Sequence, residues 1–515
     1  MSPGSEGPGP GTRTTSVARP GGRVPRVCGT DDEGVPMVDE STLLLGYPPP
    51  VAVPADRVAA QVARTGTVLV VLDDDPTGTQ SVADLPVLTS WEEDDLAWGL
   101  AQGAPAVYVL TNTRSLGPDE AAQRNREVVV AALAAAARTG TRVSFVSRGD
   151  STLRGHFPLE TDTLAATLAE QAGRTVDAVV LVPAFPDAGR ITVGAQHYLR
   201  TPEGLLPAGE SEFAADATFG YRSSLLPEWV EEKTAGRTAA ADVVVLDLSV
   251  VRAGPDAVAA VLAPVTGGTP VVADVVTEDD LRSLSLGLLQ AEADGKELLY
   301  RVGPPFVRAR TGQEVRAPLS AQEVFGPDGG RPGGGLVVVG SHVGQTSRQL
   351  RVLLAQRPGA HTVVLDAPTV LDPARGEAHL QDVADEVARA LTRGDVVLHT
   401  SRDLLRSEDP AESLDMSRRV SAGLVAVVRR VLAAHPPRFV VAKGGITSSD
   451  VAAHGLGIRH ARVRGPMLPG IVSLWEPVGG PAAGIPYVVF AGNVGDDDSL
   501  AVVVGVLSDD GPSPT

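Results

Sequence analysis

The chain has 515 residues, 43% of them hydrophobic, which is enough for two domains with sizeable cores. Its 63 acidic residues outnumber its 44 basic ones, and the formal net charge of −19 argues against nucleic acid or an anionic membrane as a partner. No apolar run approaches the ~20 residues that span a bilayer. The single cysteine, Cys28, excludes an internal disulfide, so the composition predicts a cytoplasmic protein.

Residues 1–40 are predicted to be a disordered extension, because up to about Pro36 they are mainly Gly, Pro, Ser, Thr and Arg with little hydrophobic pattern. Ordered-looking sequence begins close to Met37, which supports the hypothesis that translation starts there. Peptides from upstream of Met37 in the native protein would refute that hypothesis. Residues 509–515 are predicted to be a flexible tail.

Apolar strand-like runs alternate with helical segments through residues 41–325. The strand-like runs are residues 67–72, 106–111, 142–147, 176–183, 242–248 and 270–273, and the clearest helices are residues 118–137 and 278–293. This alternation is typical of a parallel sheet flanked by helices. The pattern loosens at residues 197–237, which are predicted to be an insertion or a lid-like excursion.

Gly- and Pro-rich residues 326–335 are the strongest linker signal in the chain, and a second α/β domain is predicted at residues 336–508. Its strand-like runs are residues 336–339, 362–365, 395–399, 438–442 and 487–490, with helices from residue 347 and at residues 380–391 and 417–434. The predicted fold class is therefore α/β, with two α/β domains and a cleft between them. Each domain is predicted to have a mainly parallel sheet flanked by helices.

Three aspartates, Asp73, Asp74 and Asp75, end the first strand-like run and precede a Pro-Thr-Gly-Thr turn. Ligands bind at the carboxyl ends of strands in open α/β sheets, and three adjacent carboxylates need a cation, hydroxyls or basic side chains to offset their repulsion. Together with Thr77 the aspartates match D-x-D-x-T, the pattern of haloacid-dehalogenase-like phosphatases, in which Asp73 would be the nucleophile and Asp75 the acid/base. N-cap and turn roles explain the same aspartates equally well.

A second polar cluster, S-R-G-D-S-T-L-R-G-H, follows the third strand-like run. Its arginines, Arg148 and Arg154, can each bind a carboxylate or phosphate through two hydrogen bonds. Asp150, Ser151 and Thr152 add an acceptor and two hydroxyls that suit a polyhydroxylated ligand. A surface salt bridge between Arg148 and Asp150, with hydroxyls that cap a helix, is the alternative, but so many charged and hydroxyl groups in eight residues favour a binding site.

A third stretch, P-A-F-P-D-A-G-R-I-T-V-G, begins at Pro183 and again follows a strand-like run. Its two prolines and two glycines impose a fixed loop shape. Arg190 in this loop is a further candidate for binding an anion. Pro- and Gly-rich loops are common, so this stretch alone does not define a site.

Three strands of the second domain end in turns of small residues, at residues 340–341, 444–447 and 492–495. Glycine lets the backbone approach a phosphate closely, and the N–H groups that open a following helix favour negative charge. One such turn is usually only a turn, but three at one sheet edge predict nucleotide phosphate binding. The residues predicted to bind the nucleotide are Ser341, Gly444, Gly445, Ile446, Thr447, Gly492, Asn493 and Gly495.

Other nucleotide motifs are missing from the sequence. It contains no G-x-x-x-x-G-K-[ST], which excludes a P-loop, and no well-placed G-x-G-x-x-G precedes a helix. Asp496, Asp497 and Asp498 could hold Mg²⁺ through water or stabilise the first turn of a helix, and the sequence does not separate the two roles. The metal ligands are therefore left unassigned.

Together these motifs resemble the four-carbon acid sugar kinase family, whose members carry D-D-x-T-G, D-S-T-x-R-G and P-A-F-P-x-x-G-R segments before G-S, G-G-x-T and G-N-x-G elements. The corresponding segments here are residues 74–78, 150–155, 183–190, 340–341, 444–447 and 492–495. Their order and spacing cover nearly everything after about residue 60. Two departures, D-D-D-P-T-G-T-Q in place of the commoner D-D-L-T-G-A and the elaborated residues 197–237, leave the identity of the substrate open.

The resemblance implies a kinase that uses ATP and Mg²⁺ to phosphorylate the terminal hydroxyl of a small sugar acid, such as a tetronate or a 3-oxo-tetronate. Asp74 and Asp150 are the candidate catalytic residues, and the sequence does not decide which of them is the base. The candidates for substrate binding are Asp73, Arg148, Ser151, Thr152, Arg154, Gly155 and Arg190. The arginines would hold the carboxylate, and ATP would face the sugar acid across the cleft.

Two other functions stay open at this point. One is the phosphatase that uses Asp73 and Asp75, which leaves the three glycine-containing turns and the second domain unexplained. The other is a non-catalytic sensor that binds a sugar acid and a nucleotide. An exposed apolar sheet edge could also support a homodimer.

Overall fold

The structure is a computed structural model that describes residues 37–327, 329–401 and 410–508. The predicted flexible tail and residues 1–36 of the predicted extension lie outside these ranges. The fold begins earlier than the predicted boundary at residue 41, because Met37 is buried and the backbone of Val38 pairs with that of Leu205.

The first half of the chain alternates strands with helices, as predicted. Its strands are β1 (Thr67–Asp73), β2 (Pro86–Leu88), β3 (Ala106–Leu110), β4 (Arg142–Arg148), β5 (Ala178–Val182), β6 (Arg190–Val193), β7 (Gln196–Thr201), β8 (Gly204–Pro207), β9 (Val244–Leu246), β10 (Thr269–Ala273) and β11 (Leu298–Val302). Its helices are α1 (Glu40–Leu44), α2 (Ala55–Thr65), α3 (Glu93–Leu100), α4 (Pro118–Thr139), α5 (Leu159–Ala172), α6 (Leu226–Lys233), α7 (Leu248–Ala253), α8 (Pro255–Leu262), α9 (Glu278–Ala293), α10 (Pro305–Thr311) and α11 (Ala321–Phe325).

The second half repeats the alternation and adds a hairpin. Its strands are β12 (Leu336–Val339), β13 (His361–Leu365), β14 (Val396–Thr400), β15 (Val440–Lys443), β16 (His460–Leu468), β17 (Ile471–Pro477) and β18 (Tyr487–Phe490). Its helices are α12 (Gly344–Gln356), α13 (Ala367–Leu371), α14 (Gly376–Leu391), α15 (Pro410–Ala434), α16 (Gly445–Asp450) and α17 (Ser499–Leu507). None of the helices in the described ranges is both long and apolar enough to cross a bilayer.

The α/β fold class is confirmed, but the two halves do not have separate sheets. Fifteen strands form one sheet in the order β13-β14-β12-β15-β18-β17-β16-β2-β3-β1-β4-β11-β5-β10-β9. The other pairs of this sheet are parallel, but β16 and β17 form an antiparallel hairpin. This hairpin pairs antiparallel with β18 on one side and with β2 on the other, and so joins the two halves. The sequence analysis missed both β2, which is only three residues long, and this hairpin, so it did not predict the continuous sheet.

The parallel strands of the first half run opposite to those of the second half. The carboxyl ends of the two groups of strands nevertheless lie close together. Six steps separate β1 from β15 in the strand order, and a sheet twists by roughly 20–25° at each step. Over six steps this twist rotates the carboxyl ends of the strands around β15 toward the carboxyl end of β1. The loops after β1 and β3 consequently contact α16, where the side chain of Asn112 donates to the hydroxyl of Ser449.

The predicted excursion at residues 197–237 forms a small domain-like unit of its own. Strands β6, β7 and β8 form a three-stranded antiparallel sheet that packs beside the main sheet, and α6 follows it. Its apolar side chains Ile191, Tyr198 and Leu205 are buried against the segment before β1. We call residues 190–234 the small-sheet unit.

Candidate active site

A buried ion pair lies beneath the end of β1. Asp73 and Arg148 are direct partners in the β1–β4 ladder, and the guanidinium contacts the Asp73 carboxylate through Nε and Nη2. Its remaining hydrogen bonds go to the backbone carbonyls of Asp75, at 2.8 Å, and Gly149, at 3.2 Å. Because Asp73 is 0% and Arg148 3% exposed, both predicted substrate ligands lie below the site and support it from there.

The burial of Asp73 also argues against the phosphatase alternative. Burial raises the pKa of Asp73 to about 7, although Arg148 pulls it down, and the neighbouring carboxylates of Asp74 and Asp75 add to the rise. A nucleophile must meet a phosphate directly. Asp73 cannot do so without moving the guanidinium that covers it.

The next two carboxylates are held by an arginine that the sequence analysis did not single out. Arg114, just after β3, donates to both oxygens of Asp74, from Nη2 at 2.6 Å and from Nε at 3.2 Å. Its Nη1 lies 3.4 Å from Asp75. Burial would raise the pKa of Asp75, but the charges of Arg114 and Arg148 and hydrogen bonds from Thr77 hold it below its ordinary value. Asp75 is therefore an ionised acceptor at the surface of the site.

A second buried network supports the first. Arg301 on β11 donates from Nη1 to Glu160 at 2.6 Å and to Ser147 at 2.9 Å, and its Nη2 lies 3.8 Å from Asp74. Glu160 also accepts from Thr113 at 2.5 Å. These contacts join β3, β4, β11 and α5 under the aspartates. A lone arginine inside the apolar run L-L-Y-R-V was the sequence signal for this network.

Two glycines of the predicted motifs leave room for these arginines. A Cβ on Gly78 would lie 2.2 Å from Arg148 Nε, and a Cβ on Gly155 would lie 2.6 Å from Arg301 Nη2 and 3.0 Å from Asp74 Oδ2. Gly155 also has φ +120°, which side-chain-bearing residues rarely adopt. The 150–155 loop thus closes directly onto the end of β1.

This loop presents a carboxylate and a guanidinium side by side. Asp150 accepts from Arg154 Nε at 2.6 Å and from the Thr152 hydroxyl. Burial opposes its ionisation, but the charges of Arg114 and Arg154 hold the pKa of Asp150 far below its usual range. Ser151 is buried in the same loop. Asp150 is consequently an anion that can accept hydrogen bonds from hydroxyls.

Three side chains from elsewhere in the fold hold the carbonyls of this loop. His197 Nε2 donates to Ser151 at 2.7 Å, Tyr221 donates to Thr152 at 2.8 Å, and Arg301 donates to Arg154 at 3.3 Å. Two of the three donors belong to the small-sheet unit. The segment predicted to be an insertion or a lid-like excursion therefore supports this loop.

The same unit positions the arginines of the site. Phe213 lies under the Arg154 guanidinium, 5.0 Å from ring centroid to Cζ, and Asp216 lies 3.7 Å from Arg154 Nη1. Arg190 is on β6, where Nη1 contacts the carbonyl of Ala188 and the buried Nε has no hydrogen-bond partner among the described atoms. Arg154 and Arg190 are both only partly buried, so part of each side chain stays open to a ligand anion.

In the second half, the three predicted turns converge at one place. A Cβ on Gly444 would lie 3.0 Å from Ser341 Cβ, and one on Gly492 would lie 2.9 Å from Ser341 Oγ. A Cβ on Gly340 would lie 2.4 Å from Thr447 Oγ1. The backbone of each turn can approach the others this closely only because the glycines lack side chains.

Helix α12 fixes the last of these turns. Thr346 donates to the carbonyl of Gly492 at 2.8 Å, Gln345 to that of Gly495 at 3.0 Å, and Gln349 to that of Val494 at 3.0 Å. Asn493 lies exposed at the tip of the turn. The sequence alone does not distinguish these three donors from other helix residues, because their partners are about 150 residues away along the chain.

Two cavities adjoin the converging turns. One, of about 120 Å³, is lined by Gly340 and Thr447 and by apolar side chains of α13 and α15, including Val420 and Leu424. The other, of about 170 Å³, lies between the two halves of the chain. Its lining residues are Asp74, Asp75, Pro76, Asn112, Arg114, Ser115, Gly445, Ile446, Ser449 and Asp450. We call this second cavity the cleft.

The Asp496–Asp498 run does not gather around a common point with other ligands. Asp497 pairs with Arg348 at 2.9 Å, and Asp498 precedes the first turn of α17. In the described ranges, no group of three or more His, Cys, Asp or Glu side chains is arranged for a metal ion. Carboxylates from both halves do line the cleft, as Asp75 and Asp450.

Fold and site together define a two-domain α/β protein in which acidic and arginine side chains of one half face glycine-containing turns of the other. Comparisons with known proteins agree with this division. Residues 69–310 match the model of a sugar-binding N-terminal domain, and residues 336–500 match that of a nucleotide-binding C-terminal domain.

Two curated relatives carry kinase names. The chain is 26% identical over 419 residues to a D-erythronate kinase of Heliobacterium modesticaldum, covering 78% of this chain and 87% of the relative. It is 31% identical over 164 residues to a 3-oxo-isoapionate kinase of Paraburkholderia graminis, covering 29% of this chain and 34% of the relative.

Solved structures share the fold. One, described as a putative tRNA synthase from Salmonella typhimurium LT2, superposes with a TM-score of 0.61 at 20% identity and covers 84% of this chain and 98% of its own. A Haemophilus influenzae protein superposes with a TM-score of 0.58 at 17% identity, covering 85% and 100%. The chain belongs to the four-carbon acid sugar kinase family, and the prediction of an ATP-dependent sugar-acid kinase is confirmed.

Proposed function

We propose that this kinase transfers the γ-phosphoryl group of ATP to the terminal hydroxyl of a four-carbon sugar acid, such as a tetronate or a 3-oxo-tetronate. The cleft carries the proposal, because one cavity is lined both by the aspartates after β1 and by the glycine turn before α16. The relative named D-erythronate kinase supports the substrate class, since erythronate is a tetronate.

The sugar acid fits the side of the cleft formed by the first half. We assign its carboxylate to Arg154 and Arg190, which are only partly buried, and its inner hydroxyls to Asp150 and the 151–155 loop. Asp74, fixed by Arg114, and Asp75, which lies at the cleft surface, would accept hydrogen bonds from the hydroxyl that attacks.

ATP fits the opposite side. Ser341, Gly444, Gly445, Ile446, Thr447, Gly492, Asn493 and Gly495 are the proposed nucleotide contacts. The cavity beside Gly340 and Thr447, lined by apolar side chains together with hydroxyls and His342, suits the base, and the converging turns suit the phosphates. Mg²⁺ bound with ATP needs only one or two protein carboxylates, and Asp450, on the second half's side of the cleft, would supply one. The ion neutralises phosphate charge when bound.

The protein's part in the reaction is then mainly positioning. Phosphoryl transfer passes through a loose transition state and requires little help from a strong base. The lowered pKa of Asp75 agrees with that requirement, because an ionised acceptor orients the attacking hydroxyl and takes its proton late.

A coupled ADP-release screen tests the proposal. Tetronates and 3-oxo-tetronates should give ADP and a product phosphorylated at the terminal hydroxyl, which mass spectrometry and phosphorus NMR identify. If sugar acids and ATP both bind but no sugar acid in a broad panel gives ADP above background, the protein is a sensor and the proposal fails.

A further inference from the structure

A lysine that the sequence analysis did not consider lies at the base of the nucleotide turns. Lys443 is the last residue of β15 and immediately precedes Gly444. Its side chain is fully buried, and Nζ donates to the carbonyl of Ala491 at 2.6 Å. The centroid of the Phe490 ring lies 3.8 Å from Nζ.

Lys443 has no charged partner in the described part of the chain. No carboxylate there lies within 4.0 Å of its amine, and burial alone lowers the pKa of Lys443 to about 7. A buried cation with only a carbonyl and a ring for partners is costly compared with a methionine of similar length. The fold therefore keeps a polar group where an apolar one would pack at lower cost.

The amine of Lys443 lies next to the start of two of the turns. Lys443 adjoins the 444–447 turn, and Ala491, which it contacts, adjoins the 492–495 turn. The backbone N–H of Gly444 also donates to the carbonyl of Phe490 at 2.8 Å, so the two turns start side by side. Ser341 lies beside both turns, since a Cβ on Gly444 would be 3.0 Å and one on Gly492 2.9 Å from its side chain. An anion held by these turns would lie close to the amine.

We propose that Lys443 supplies the positive charge for the phosphate groups of a nucleoside triphosphate bound by these turns. This inference rests on the proposed ATP site. The phosphates are the counter-charge that the amine lacks in the free protein. Because their charge favours the ammonium form, the amine takes up a proton from solvent when the nucleotide binds.

Isothermal titration of ATP into the full chain at pH 8, in buffers of different ionisation enthalpy, tests the coupling. The wild-type protein should take up about one proton more per site than Lys443→Arg, whose guanidinium stays charged throughout. Lys443→Met should bind ATP about tenfold or more weakly. Lys296→Met is the matched control, because Lys296 also donates to a carbonyl, that of Val265 at 2.7 Å, but lies far from the turns.

Thermal unfolding without nucleotide separates this role from a structural one. Lys443→Met should be at least as stable as the wild type, since it removes a buried amine. Equal ATP affinity and equal proton uptake in wild type, Lys443→Met and Lys443→Arg would overturn the inference while leaving the ATP site intact. Failure of the wild-type protein itself to bind ATP would instead overturn the proposed function.

Discussion

Three consecutive carboxylates after β1 have three different surroundings. Asp73 is covered by Arg148, Asp74 is held at both oxygens by Arg114, and Asp75 reaches the cleft. Asp75 lies near the turn before α16, since a Cβ on Gly445 would be 3.9 Å from Asp75 Oδ2. Asp75 is therefore the residue of the run whose replacement should affect chemistry most directly.

We expect Asp75→Asn to lower kcat roughly 100-fold, because the amide cannot accept the proton or orient the hydroxyl in the same way. The free energy of unfolding should fall only modestly, because the amide oxygen can still accept from Thr77 while the attraction to Arg114 is lost. Steady-state kinetics and urea denaturation measure the two effects. Asp94→Asn, at an exposed position of α3, is the control and should match the wild type in both.

Arg154→Ala should weaken binding of the sugar acid roughly 10- to 100-fold through loss of charge-assisted hydrogen bonds, and leave ATP affinity nearly unchanged. Gly445→Val should do the reverse, because the added side chain would project from the nucleotide turn. Calorimetry with each ligand separately gives both affinities. If both substitutions affected the same ligand, the division of labour between the two halves would be wrong.

His197 gives the protein a pH-dependent stability. It is buried as a neutral ring between Thr192, at 2.9 Å from Nδ1, and the carbonyl of Ser151, and burial lowers its pKa to about 4. In the unfolded chain the imidazole of His197 has a pKa near 6.5. The folded protein therefore gains stability from the neutral ring above that pH. This contribution to the free energy of unfolding, roughly 3 kcal/mol, is lost as the pH falls from 6.5 to 4.

His197→Gln should remove this part of the pH dependence, since glutamine can make similar hydrogen bonds and does not titrate. Urea denaturation of both proteins at pH 7 and pH 5 is the measurement. The wild type should lose more stability than the variant between the two values. Parallel losses would show that His197 does not control the effect.

At the scale of elements, the bounds of a helix were predicted best where the hydrophobic periodicity and the capping residues indicate the same start and end. Helix α9 was predicted at its observed bounds, and a capping box between Thr277 and Asp280 fixes its start. Strand β18 also matched, because it is a short apolar run between turns. Strand β11 and the β16–β17 hairpin were missed, since charged residues interrupt their apolar pattern.

The loops that line the candidate site could be predicted from the sequence, but their ion pairs could not. Polar residues after β1, β4, β12, β15 and β18 could be read from the sequence, because ligands bind at the carboxyl ends of strands. Which cation meets which carboxylate depends on strand order, which places Arg301 of β11 beside β4. For that reason Arg148 looked like a substrate ligand and Arg114 was overlooked.

Tyr221 tests the small-sheet unit as a support for the 150–155 loop. Tyr221→Phe removes the hydrogen bond to Thr152 and should raise KM for the sugar acid about fivefold, with KM for ATP unchanged. Tyr108→Phe is a matched control, because the buried Tyr108 hydroxyl has no hydrogen-bond partner among the described atoms. An equal change in both variants would contradict a specific role for Tyr221.

At the scale of the whole molecule, side chains reinforce the junction between the halves. Thr79 contacts Ser473 at 2.7 Å and accepts from Trp475 Nε1 at 2.9 Å, and all three are buried. On the other face of the junction, Asp95 accepts from Arg459 at 2.9 Å. The predicted homodimer is not needed to complete these contacts and stays a prediction.

We expect the two halves to unfold together. Differential scanning calorimetry should give one transition whose calorimetric and van't Hoff enthalpies agree, because separation would break the β2–β16 ladder and the buried contacts of Thr79. Two resolved transitions, one of which shifts with ATP alone, would contradict this expectation.

The shared ladder between β2 and β16 also limits how the enzyme can move and change. Rotation of one half against the other would shear main-chain hydrogen bonds, so closure over the substrates has to come from the loops around the cleft. Exchange of whole halves between relatives would have to preserve strand register at this junction. If the proposed function holds, changes in the small-sheet unit are the easier route to new sugar acids, because this unit contacts the 150–155 loop and not the turns at residues 340–341, 444–447 and 492–495.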